Sequence, residues 1–581
     1  MEEESLSRAP IQQKLISILK DKKEITLKSA QAFGVSNAVI NGLIEKGFVN
    51  RFSRELSPYK KLENKQLSSP KQLNPEQNKA VNAIKKAKDK NTTFLLDGIT
   101  GSGKTEVYLQ AIQEVINEGK QALILIPEIG LAPQAEERFR EYFGDRVMSF
   151  HSAKNEREKV DAWLGASRGL VDIIIGTRSS VFLPMKNLGI IVVDEEHDLS
   201  FKQMEKFRYS ARDMALYRAK LEKIPVVLAS ATPSLETLKN VQEEKYKVLK
   251  LNKRATGASL PTFHAVDLKG KELHEGLSKE LLEATQTELD KGNQVLMFLN
   301  RRGYAPITIC QACGFQVGCE KCDARMTLHS FRSILLCHQC GDTKPLIDVC
   351  PNCEASGSFN ALGPGVERIA EEASKVFPDA KLAILSSDIL TPSGSIDKII
   401  DSIEKGEVDI IIGTQLVAKG HNFPHLSLVG VIDADLGLQG ADLRASEKTF
   451  QLIKQVSGRA GRDKTKGIAL LQTYQPEHPV ITAILSDDDE KFWESEAKQR
   501  REALVPPFGT MAGIVISGTD LQQVNEISNQ FTINLGPLKD INAKVYGPAP
   551  APIARIRGRH RIRLLIKVGN KKNFQKALSS W

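Results

Sequence analysis

Cysteine is absent from most of this 581-residue chain, since none occurs before Cys310 or after Cys353. A secreted protein stapled by disulfides would spread its cysteines along the chain, so that class is excluded. Long apolar runs are missing too, and the N-terminal segment MEEESLSRAP has no apolar centre. Because a membrane helix needs about 20 apolar residues and a signal peptide needs an apolar core, we expect neither. The sequence predicts a folded cytoplasmic protein.

Low-complexity tracts are also lacking, and a composition of 41% hydrophobic and 26% charged residues is ordinary for a globular protein. The chain is too long for one hydrophobic core, so several domains are expected. A net charge of +9 suits a polyanionic partner but is equally compatible with a solvated surface. Charge alone therefore does not identify a partner.

Residues 1–60 are predicted to form a winged-helix-like domain. Three short helical patterns cover 11–20, 26–32 and 36–46, and the alternating segment GFVNRFSREL follows them as a wing. Such a unit inserts its third helix into a DNA groove or serves as a protein contact or spacer, and both uses stay open. The polar segment 60–73, with its Ser-Ser-Pro, marks a linker.

Two parallel-sheet lobes are predicted next, because short apolar strands alternate with amphipathic helices twice along the chain. The first series includes TFLLDG, QALILIP, IIVVDEEH and VVLAS, and the second includes QVLMFLN, KLAILS, LVGVIDAD and IALLQTY. The fold class is therefore α/β. A Cys-rich insertion interrupts the second lobe just after its first strand, and a small α+β domain ends the chain. The predicted domains are 70–254 for lobe one, 255–304 with 357–476 for lobe two, 305–356 for the insertion and 477–581 for the C-terminal domain.

The segment after the strand TFLLD matches the phosphate-binding pattern GxxxxGK[ST] and opens a helix. Its glycines let backbone N–H groups wrap phosphates at a helix N-terminus. Lys104 is predicted to neutralise the β and γ oxygens of ATP, and Thr105 to ligate Mg²⁺. The predicted nucleotide-binding residues here are Gly98, Ile99, Thr100, Gly101, Ser102, Gly103, Lys104 and Thr105.

Two acidic residues, Asp194 and Glu195, follow the apolar strand IIVV and should reach the same edge of the sheet as the phosphate loop. Asp194 is predicted to hold the Mg²⁺ shell and Glu195 to polarise the attacking water. An isolated acidic pair after a strand is often a solvated turn, but the phosphate loop favours a catalytic pair.

Further motifs follow in an order that resembles superfamily 2 helicases, and more narrowly the PriA family of bacterial primosomal replication-restart helicases, from about Leu73 to Arg563. These motifs are LNPEQNKAV, PEIGLAPQ, GTRSSVF, LASATPS, FLNRRGYAP, GTQLVAKGHNFP and QVSGRAGR. The resemblance implies two RecA-like motor lobes and adenine reading by Gln77. It also implies that Ser230 and Thr232 couple hydrolysis to lobe movement.

The resemblance further implies an ATP-dependent 3′-to-5′ DNA helicase that acts at stalled or collapsed replication forks and initiates primosome assembly. Its expected partners are forked and single-stranded DNA, primosome proteins, a replicative helicase loader and single-stranded DNA-binding protein. A bacterial cytoplasmic protein associated with the nucleoid is expected. Two alternatives stay open: a translocase that remodels protein on DNA without unwinding, and a non-hydrolysing primosome scaffold.

Arginines in QVSGRAGR meet a physical requirement of phosphoryl transfer, which spreads negative charge over the γ oxygens. A guanidinium that arrives from the second lobe stabilises this charge only when the cleft closes. Arg462, together with Arg459, is the candidate arginine finger, and Gln455 precedes them in the same motif. A basic loop on a solvated surface is the alternative.

An aromatic and basic stretch lies between DEEH and LASATPS, with Phe201, Phe207 and Tyr209 as its rings. The resemblance implies an aromatic-rich loop that senses single-stranded DNA by base stacking. Core packing of the same rings is the competing interpretation.

The cysteines form four CxxC pairs, a spacing typical of structural zinc ligands. They are Cys310 with Cys313, Cys319 with Cys322, Cys337 with Cys340, and Cys350 with Cys353. Four pairs supply two Cys₄ sites, so two Zn²⁺ ions are predicted, with iron–sulfur ligation as the rival. Spacing does not settle the pairing; the resemblance implies that the outer two pairs share one ion and the inner two the other. His329 and His338 are not expected to bind zinc, because the eight thiolates already complete both sites.

Five arginines occupy every second position from Arg555 to Arg563 near the C-terminus. Period two predicts a single strand with all five guanidiniums on one face. Because no acid balances them, we expect contact with a phosphate backbone, although a solvent-facing surface is the alternative.

The chain differs from the family pattern at both ends. About a hundred residues of a domain that captures a DNA 3′ end are expected before Met1 by the resemblance, and Trp581 falls inside the expected last helix. A fragment is therefore one expectation.

Overall fold

The computed structural model describes residues 10–23, 25, 27–52, 70–128, 132–300, 307–310, 312–313, 315–323, 326–329, 334–337, 340–345, 347, 349–357, 359–362, 365–386, 395–417, 423–438, 442–461, 466–569 and 572–581. Contacts divide the chain into two compact units, Met1–Glu63 and Asn64–Trp581. Among the helices described, none is long and apolar enough to cross a membrane.

The first unit is helical in its described part, with α1 (Pro10–Lys22), α2 (Leu27–Ala32) and α3 (Asn37–Glu45). Buried Leu15, Val35 and Leu43 form its small core. The helices occupy the predicted positions.

The predicted wing is not established. Residues 47–52 contain no strand, and 53–56 lie outside the described residues. The winged-helix assignment therefore stays a prediction.

The second unit begins with a parallel sheet of seven described strands in the order β3-β4-β2-β5-β6-β1-β7. Its central strands are buried along almost their whole length because helices cover both faces, which explains their continuous apolar sequences. The elements are α4 (Pro75–Lys86), β1 (Thr93–Gly98), α5 (Lys104–Asn117), β2 (Gln121–Leu125), α6 (Ala132–Phe143), β3 (Val147–Phe150), α7 (Glu156–Arg168), β4 (Ile173–Gly176), β5 (Leu188–Asp194), α8 (Ala211–Glu222), β6 (Val226–Ser230), α9 (Leu235–Gln242) and β7 (Lys247–Leu251).

A second parallel sheet has the order β15-β16-β9-β17-β18-β8, and a five-stranded antiparallel sheet, β13-β12-β11-β10-β14, is inserted after β9. These elements are β8 (Thr262–Asp267), α10 (Lys279–Asp290), β9 (Gln294–Phe298), β10 (Ile307–Cys310), β11 (Thr327–His329), β12 (Ile334–Leu336), β13 (Thr343–Pro345), β14 (Phe359–Leu362), α11 (Val366–Val376), β15 (Leu382–Leu385), α12 (Ser395–Glu404), β16 (Ile410–Gly413), β17 (Leu426–Val431), α13 (Ala445–Ser457) and β18 (Ile468–Thr473).

The position predicted for the insertion was wrong by one strand. It follows the second strand of the sheet, because β8 precedes β9 and pairs with β18 at the edge. The apolar pattern of β8, TFHAVD, is weak because the strand is only partly buried and mixes polar with apolar residues. The domain boundaries proposed from the sequence stay predictions.

The last described part of the chain contains five helices and a three-stranded antiparallel sheet of order β19-β21-β20. The elements are α14 (Pro479–Leu485), α15 (Asp489–Glu502), β19 (Thr510–Gly518), α16 (Leu521–Ile533), α17 (Gly536–Lys539), β20 (Lys544–Ile556), β21 (Arg559–Val568) and α18 (Phe574–Ser580).

The single arginine strand predicted near the C-terminus was wrong. Arg555 lies at the end of β20, Arg557 lies in the turn with a φ of 50°, and β21 begins at Arg559. Because Arg555 pairs directly with His560, it shares a face with the even-numbered residues of β21. Only Arg559, Arg561 and Arg563 share the other face.

Candidate nucleotide site and metal centres

Three neighbouring strands deliver the predicted nucleotide-site residues to one edge of the first sheet. Strands β5, β6 and β1 are adjacent and parallel. Their carboxyl ends carry Asp194, Ser230 and Gly98 respectively. The topology therefore brings together motifs that are far apart in sequence, as expected for an open parallel sheet.

The phosphate loop joins β1 to the N-terminus of α5. Gly101 and Gly103 adopt φ values of 83° and 80°, a backbone region that favours glycine. Lys104 turns back into the loop, where its Nζ donates to the carbonyls of Gly98 at 2.7 Å and Ile99 at 3.4 Å. Two carbonyls thus hold the Lys104 ammonium within the loop, and phosphate binding needs a cation in this position.

Gln77, predicted to read adenine, lies against this loop. It belongs to the capping box of α4, in which the Asn74 side chain accepts from Gln77 N and the Gln77 side chain accepts from Asn74 N. Its Nε2 donates to the buried carbonyl of Ser102 at 2.8 Å. A Cβ at Gly103 would meet that Nε2 at 2.4 Å, so a side chain there would displace the Gln77 amide from this position. Base reading by Gln77 stays a prediction.

Tyr108 links the two predicted Mg²⁺ ligands, and no sequence motif marks it. Its hydroxyl lies 3.2 Å from Thr105 Oγ1 and 3.1 Å from Asp194 Oδ2. Burial, followed by the nearby charge of Asp194, raises the pKa of Tyr108 well above its usual value, so the phenol keeps its proton. One turn of α5 thus places Tyr108 beside Thr105 and orients both toward β5.

Asp194 and Glu195 form a crowded carboxylate pair. Burial, and then the charge of Glu195, raises the pKa of Asp194 to about 6, although the Lys104 ammonium works in the opposite direction. Glu195 has a φ of 48°, and its buried Oε2 has no hydrogen-bond partner among the described residues. A divalent cation would relieve the repulsion between two such carboxylates, so these residues fit a Mg²⁺ site.

His197 connects this pair to the LASATPS motif at the end of β6. Its Nδ1 lies 2.8 Å from Ser230 Oγ and 3.7 Å from Glu195 Oε2. Ser230 Oγ also accepts from Thr232 N at 3.0 Å. A displacement of the Ser230–Thr232 turn would therefore be transmitted to Glu195 through the side chain of His197.

Glu196, to which the sequence assigns no role, is a structural anchor. Its carboxylate accepts from Ser234 N at 2.7 Å, Thr237 Oγ1 at 2.8 Å and Arg212 Nη1 at 2.9 Å. Burial works to raise the pKa of Glu196, but Arg212 and the Ser234 amide hold it below its usual value. The motif after β5 is thereby fixed to the start of α9.

The second lobe contacts the phosphate loop directly. A Cβ at Gly458 would meet Thr100 Oγ1 at 2.8 Å, so the end of α13 lies close to the loop. Arg459 is buried there; burial lowers its pKa to about 10, and the opposing charge of Glu195 partly offsets this. Gln455 is also buried. Arg462, the other candidate finger, lies outside the described residues.

Arg254 holds this part of the second lobe in place, and no sequence motif marks it either. Its Nη2 donates to Gly458 O at 3.0 Å, and its Nη1 donates to Gly461 O at 2.5 Å and to Ala460 O at 3.3 Å. Its stem passes within 3.6 Å of the position of a Cβ on Gly101. One guanidinium therefore bridges the phosphate loop and the backbone around Arg459.

The predicted aromatic loop divides into a buried and an exposed part. Phe201 packs in the core, as the competing interpretation proposed, whereas Phe207 is 71% exposed. The ring centroid of Tyr209 lies 5.7 Å from that of Phe207. Phe182, which belongs to the GTRSSVF motif, has its ring centroid 6.4 Å from that of Phe207. Exposed rings of this kind offer surfaces on which bases stack.

Parts of four other motifs lie outside the described residues. They are residues 129–131 of PEIGLAPQ, 301–306 of FLNRRGYAP, 418–422 of GTQLVAKGHNFP and Arg462 of QVSGRAGR.

The eight cysteines gather into two groups of four, and the nested pairing is confirmed. Within each group all sulfur atoms lie within 4.8 Å of one another; the groups are Cys310, Cys313, Cys350 and Cys353, and Cys319, Cys322, Cys337 and Cys340. The Sγ separations of 3.6 Å for Cys310–Cys353 and 3.7 Å for Cys319–Cys340 are far too long for disulfides. A tetrahedral ion with bonds of about 2.3 Å to sulfur requires edges of about 3.8 Å, so both groups fit Zn²⁺.

Family models cover both lobes, the insertion and the C-terminal domain. The DEAD/DEAH box helicase model matches 74–241, and the helicase conserved C-terminal domain model matches 364–464. The PriA DNA helicase Cys-rich region domain matches 319–345, and the primosomal protein N C-terminal domain matches 501–581.

Similarity to curated proteins extends over nearly the whole chain. The replication restart protein PriA of Rickettsia conorii is 41% identical over 88% of this chain and 78% of its own length. The chain belongs to the PriA family. The PriA proteins of Bacillus subtilis and Haemophilus influenzae are 39% and 37% identical over 92% and 94% of this chain, and 67% and 75% of their own lengths.

As a PriA-family member the chain is an ATP-dependent helicase, and its domains imply ATP, Mg²⁺, Zn²⁺ and DNA as ligands. Solved structures include RecG bound to a three-way DNA junction, at 18% identity and a TM-score of 0.45 over 74% of this chain and 47% of that one. The DNA-bound helicase MrfA has 14% identity and a TM-score of 0.44 over 72% of this chain and 51% of that one.

Proposed function

We propose that this PriA-family chain is a 3′-to-5′ DNA helicase that acts at stalled or collapsed replication forks and initiates primosome assembly. The observation that carries the motor part is the meeting of both lobes at one buried site. Arg459 of the second lobe lies close enough to Glu195 of the first for their charges to interact. A γ-phosphate held by Lys104 would therefore lie between a base and a guanidinium.

Each residue of the site has a proposed task. Lys104 and the loop amides bind the phosphates, and Thr105 and Asp194 would hold Mg²⁺, which supplies positive charge to the phosphate oxygens when bound. Glu195 accepts the proton of the attacking water, and its Oε2, which has no hydrogen-bond partner in the described part of the chain, is available for this. Arg459, with Arg462, stabilises the negative charge that develops during transfer.

Hydrolysis would be converted into movement through the contacts between the lobes. Gln451 Nε2 on α13 donates to Thr232 O at 3.1 Å, and His197 joins the Ser230–Thr232 turn to Glu195. Opening of the cleft after hydrolysis would therefore shift α13 relative to the first lobe. DNA held by both lobes would be advanced by each cycle.

The relatives' names support a role in replication restart and say no more. The finer parts of the proposal rest on the resemblance of the sequence motifs to those of the PriA family. They are the polarity, the action at forks, and the assembly with primosome proteins, a replicative helicase loader and single-stranded DNA-binding protein.

The decisive experiment measures ATP-dependent unwinding of forked duplexes that carry either a 3′ or a 5′ single-stranded arm on the strand to be tracked. We expect unwinding only from the 3′ arm and ATPase activity that depends on DNA. Glu195→Gln should lower the ATPase rate by about 10² to 10⁴-fold because it removes the base. Lys104→Ala should abolish activity by removing the phosphate cation.

Glu118→Gln is a matched control, since its carboxylate pairs with Lys88 on the surface, away from the phosphate loop. It should unwind at the wild-type rate. Unwinding from the 5′ arm would overturn the polarity, and DNA-stimulated ATPase without unwinding would instead favour a translocase that remodels protein on DNA. ATPase indifferent to DNA would remove the motor proposal altogether.

A further inference from the structure

The tip of the C-terminal hairpin lies against one of the two zinc sites. Three hydrogen bonds from backbone amides join the segments: Gly558 N donates to Lys321 O at 2.6 Å, Asp323 N donates to Arg555 O at 2.9 Å, and Arg557 N donates to Cys322 Sγ at 3.3 Å. The third of these ends on a predicted zinc ligand.

Side chains reinforce this contact. Ile556 packs against the small core that contains Cys319, Cys322 and Cys337. Arg555 Nε lies 3.4 Å from Asp323 Oδ1 on the zinc knuckle. The two segments therefore share an apolar contact and an ion pair as well as hydrogen bonds from the backbone.

The turn geometry explains how two amides reach the knuckle. Arg557 and Gly558 have φ values of 50° and 75°, so consecutive left-handed residues form the tight turn between β20 and β21. A Cβ at Gly558 would meet no atom within 4 Å. Glycine is thus favoured there by backbone conformation alone, and a β-branched residue would strain the turn without a clash.

Zinc thiolates carry excess negative charge, which hydrogen bonds from surrounding groups reduce, and such outer partners affect metal affinity strongly. At the first site, a donor from within the insertion serves this purpose, since Asn352 Nδ2 lies 3.5 Å from Cys313 Sγ. At the second site the Arg557 amide comes from a different domain, 235 residues along the chain from Cys322.

We propose that the hairpin tip completes the outer shell of the Cys319, Cys322, Cys337 and Cys340 site. Zinc at this site holds the hairpin in place, and the hairpin in turn slows the loss of that ion. The consequence is that one metal controls the position of Arg559, Arg561 and Arg563 on β21. The inference depends on the zinc assignment and not on the direction or substrate of the motor.

The first test adds a chelator to the 581-residue chain and follows zinc release with a chromogenic zinc indicator. We expect two ions per chain by elemental analysis, and in Gly558→Val about tenfold faster release of one ion with the other unchanged. Gly270→Val is the matched control, because Gly270 has a φ of 73° and equally open space. Faster release of both ions, or of neither, would overturn the proposal.

The second test changes a zinc site and measures the effect on the hairpin tip. Limited trypsin digestion serves for this, since the tip itself supplies arginine cleavage sites. Cys340→Ser, at the second site, should speed cleavage at the tip by about tenfold, as expected when a protected segment opens locally. Cys313→Ser, at the first site, should leave the cleavage rate unchanged. Equal cleavage in both variants would contradict the coupling, and the Gly558→Val measurement decides the matter if a cysteine variant fails to fold.

Discussion

At the scale of single residues, Tyr108 shows how a helix adjoining the phosphate loop organises two metal ligands at once. Its hydroxyl contacts Thr105 on its own helix and Asp194 on β5. One buried phenol thus links the two ligands, and Asp194 also accepts from Glu195 N at 3.2 Å. Part of the site's geometry is therefore set before nucleotide binds.

Tyr108→Phe removes this hydroxyl and keeps the ring. We expect kcat of the DNA-dependent ATPase to fall about fivefold to tenfold, because the ligand arrangement is deprived of one hydrogen bond of roughly 1 kcal/mol. Tyr142→Phe is the matched control, since the Tyr142 hydroxyl is buried without a hydrogen-bond partner among the described residues. Equal effects of the two variants would show that Tyr108 contributes packing only.

Arg254 offers a second prediction at this scale. Arg254→Lys keeps the charge but cannot span the three carbonyls around Arg459, so kcat should fall about tenfold or more while nucleotide affinity changes less. Steady-state ATPase kinetics and binding of a fluorescent nucleotide analogue measure the two effects. Arg218→Lys is the control, because Arg218 also donates to two backbone carbonyls, those of Val181 and Leu183, but within the first lobe. A normal kcat in Arg254→Lys would refute the positioning role.

Much of the site could be predicted because its residue types occur in contiguous patterns. The phosphate loop, Asp194–Glu195 and the CxxC pairs each have a fixed local spacing that follows from their chemistry. Tyr108 and Arg254 were not predicted because no motif contains them. Tyr108 contacts Asp194, and Arg254 contacts the carbonyls of Gly458–Gly461. Both roles depend on contacts with residues that are distant in sequence.

At the scale of elements, the C-terminal hairpin places arginines that look equivalent in sequence on opposite faces of its sheet. Arg561→Ala and Arg563→Ala should each lower DNA affinity. Each should also reduce the slope of log affinity against log salt by about 0.7 to 0.9, the change expected when one phosphate fewer is neutralised. Arg555→Ala, whose guanidinium faces the other side and lies near Asp323, should leave the slope unchanged. DNA titrations at several salt concentrations measure this, and a uniform effect of all three would refute the assignment of faces.

The hairpin was not predicted because every second residue is arginine on both sides of its turn and within it. This pattern is the same as that of one long strand. A signal was available: Gly558 lies between Arg557 and Arg559, and a two-residue turn with positive φ needs such a residue. Strand β8 was missed for a different reason, since a partly buried edge strand lacks the continuous apolar sequence of its neighbours.

At the scale of the whole molecule, a buried ionic cluster connects three parts of the second unit. Glu447 on α13 accepts from Leu235 N of the first lobe at 3.1 Å and from Arg500 Nη2 on α15 at 2.9 Å. Burial works to lower the pKa of Arg500, but Glu447 and Glu496 raise it above its usual value. Both lobes and the C-terminal region therefore meet at one set of charges.

Arg500→Met should destabilise the protein by about 3 to 5 kcal/mol, because buried Glu496 loses its cation and buried Glu447 keeps only Arg444, whose Nη1 lies 3.7 Å away. Urea unfolding followed by circular dichroism measures the change. Lys498→Met, at an exposed position on the same helix, should change stability by less than about 0.5 kcal/mol. An Arg500→Met variant as stable as the control would show that the cluster is not needed to hold these parts together.

The antiparallel pairing of β10 with β14 has a consequence for the architecture of the motor. Because Ile307 lies opposite Leu362, the excursion that contains the metal module leaves and rejoins the lobe at points only one strand spacing apart, about 5 Å. The lobe therefore accommodates the whole insertion as it would accommodate a short loop. We therefore expect loss of the metals to disturb the contact with the C-terminal hairpin and to leave the parallel strands of the second lobe in place.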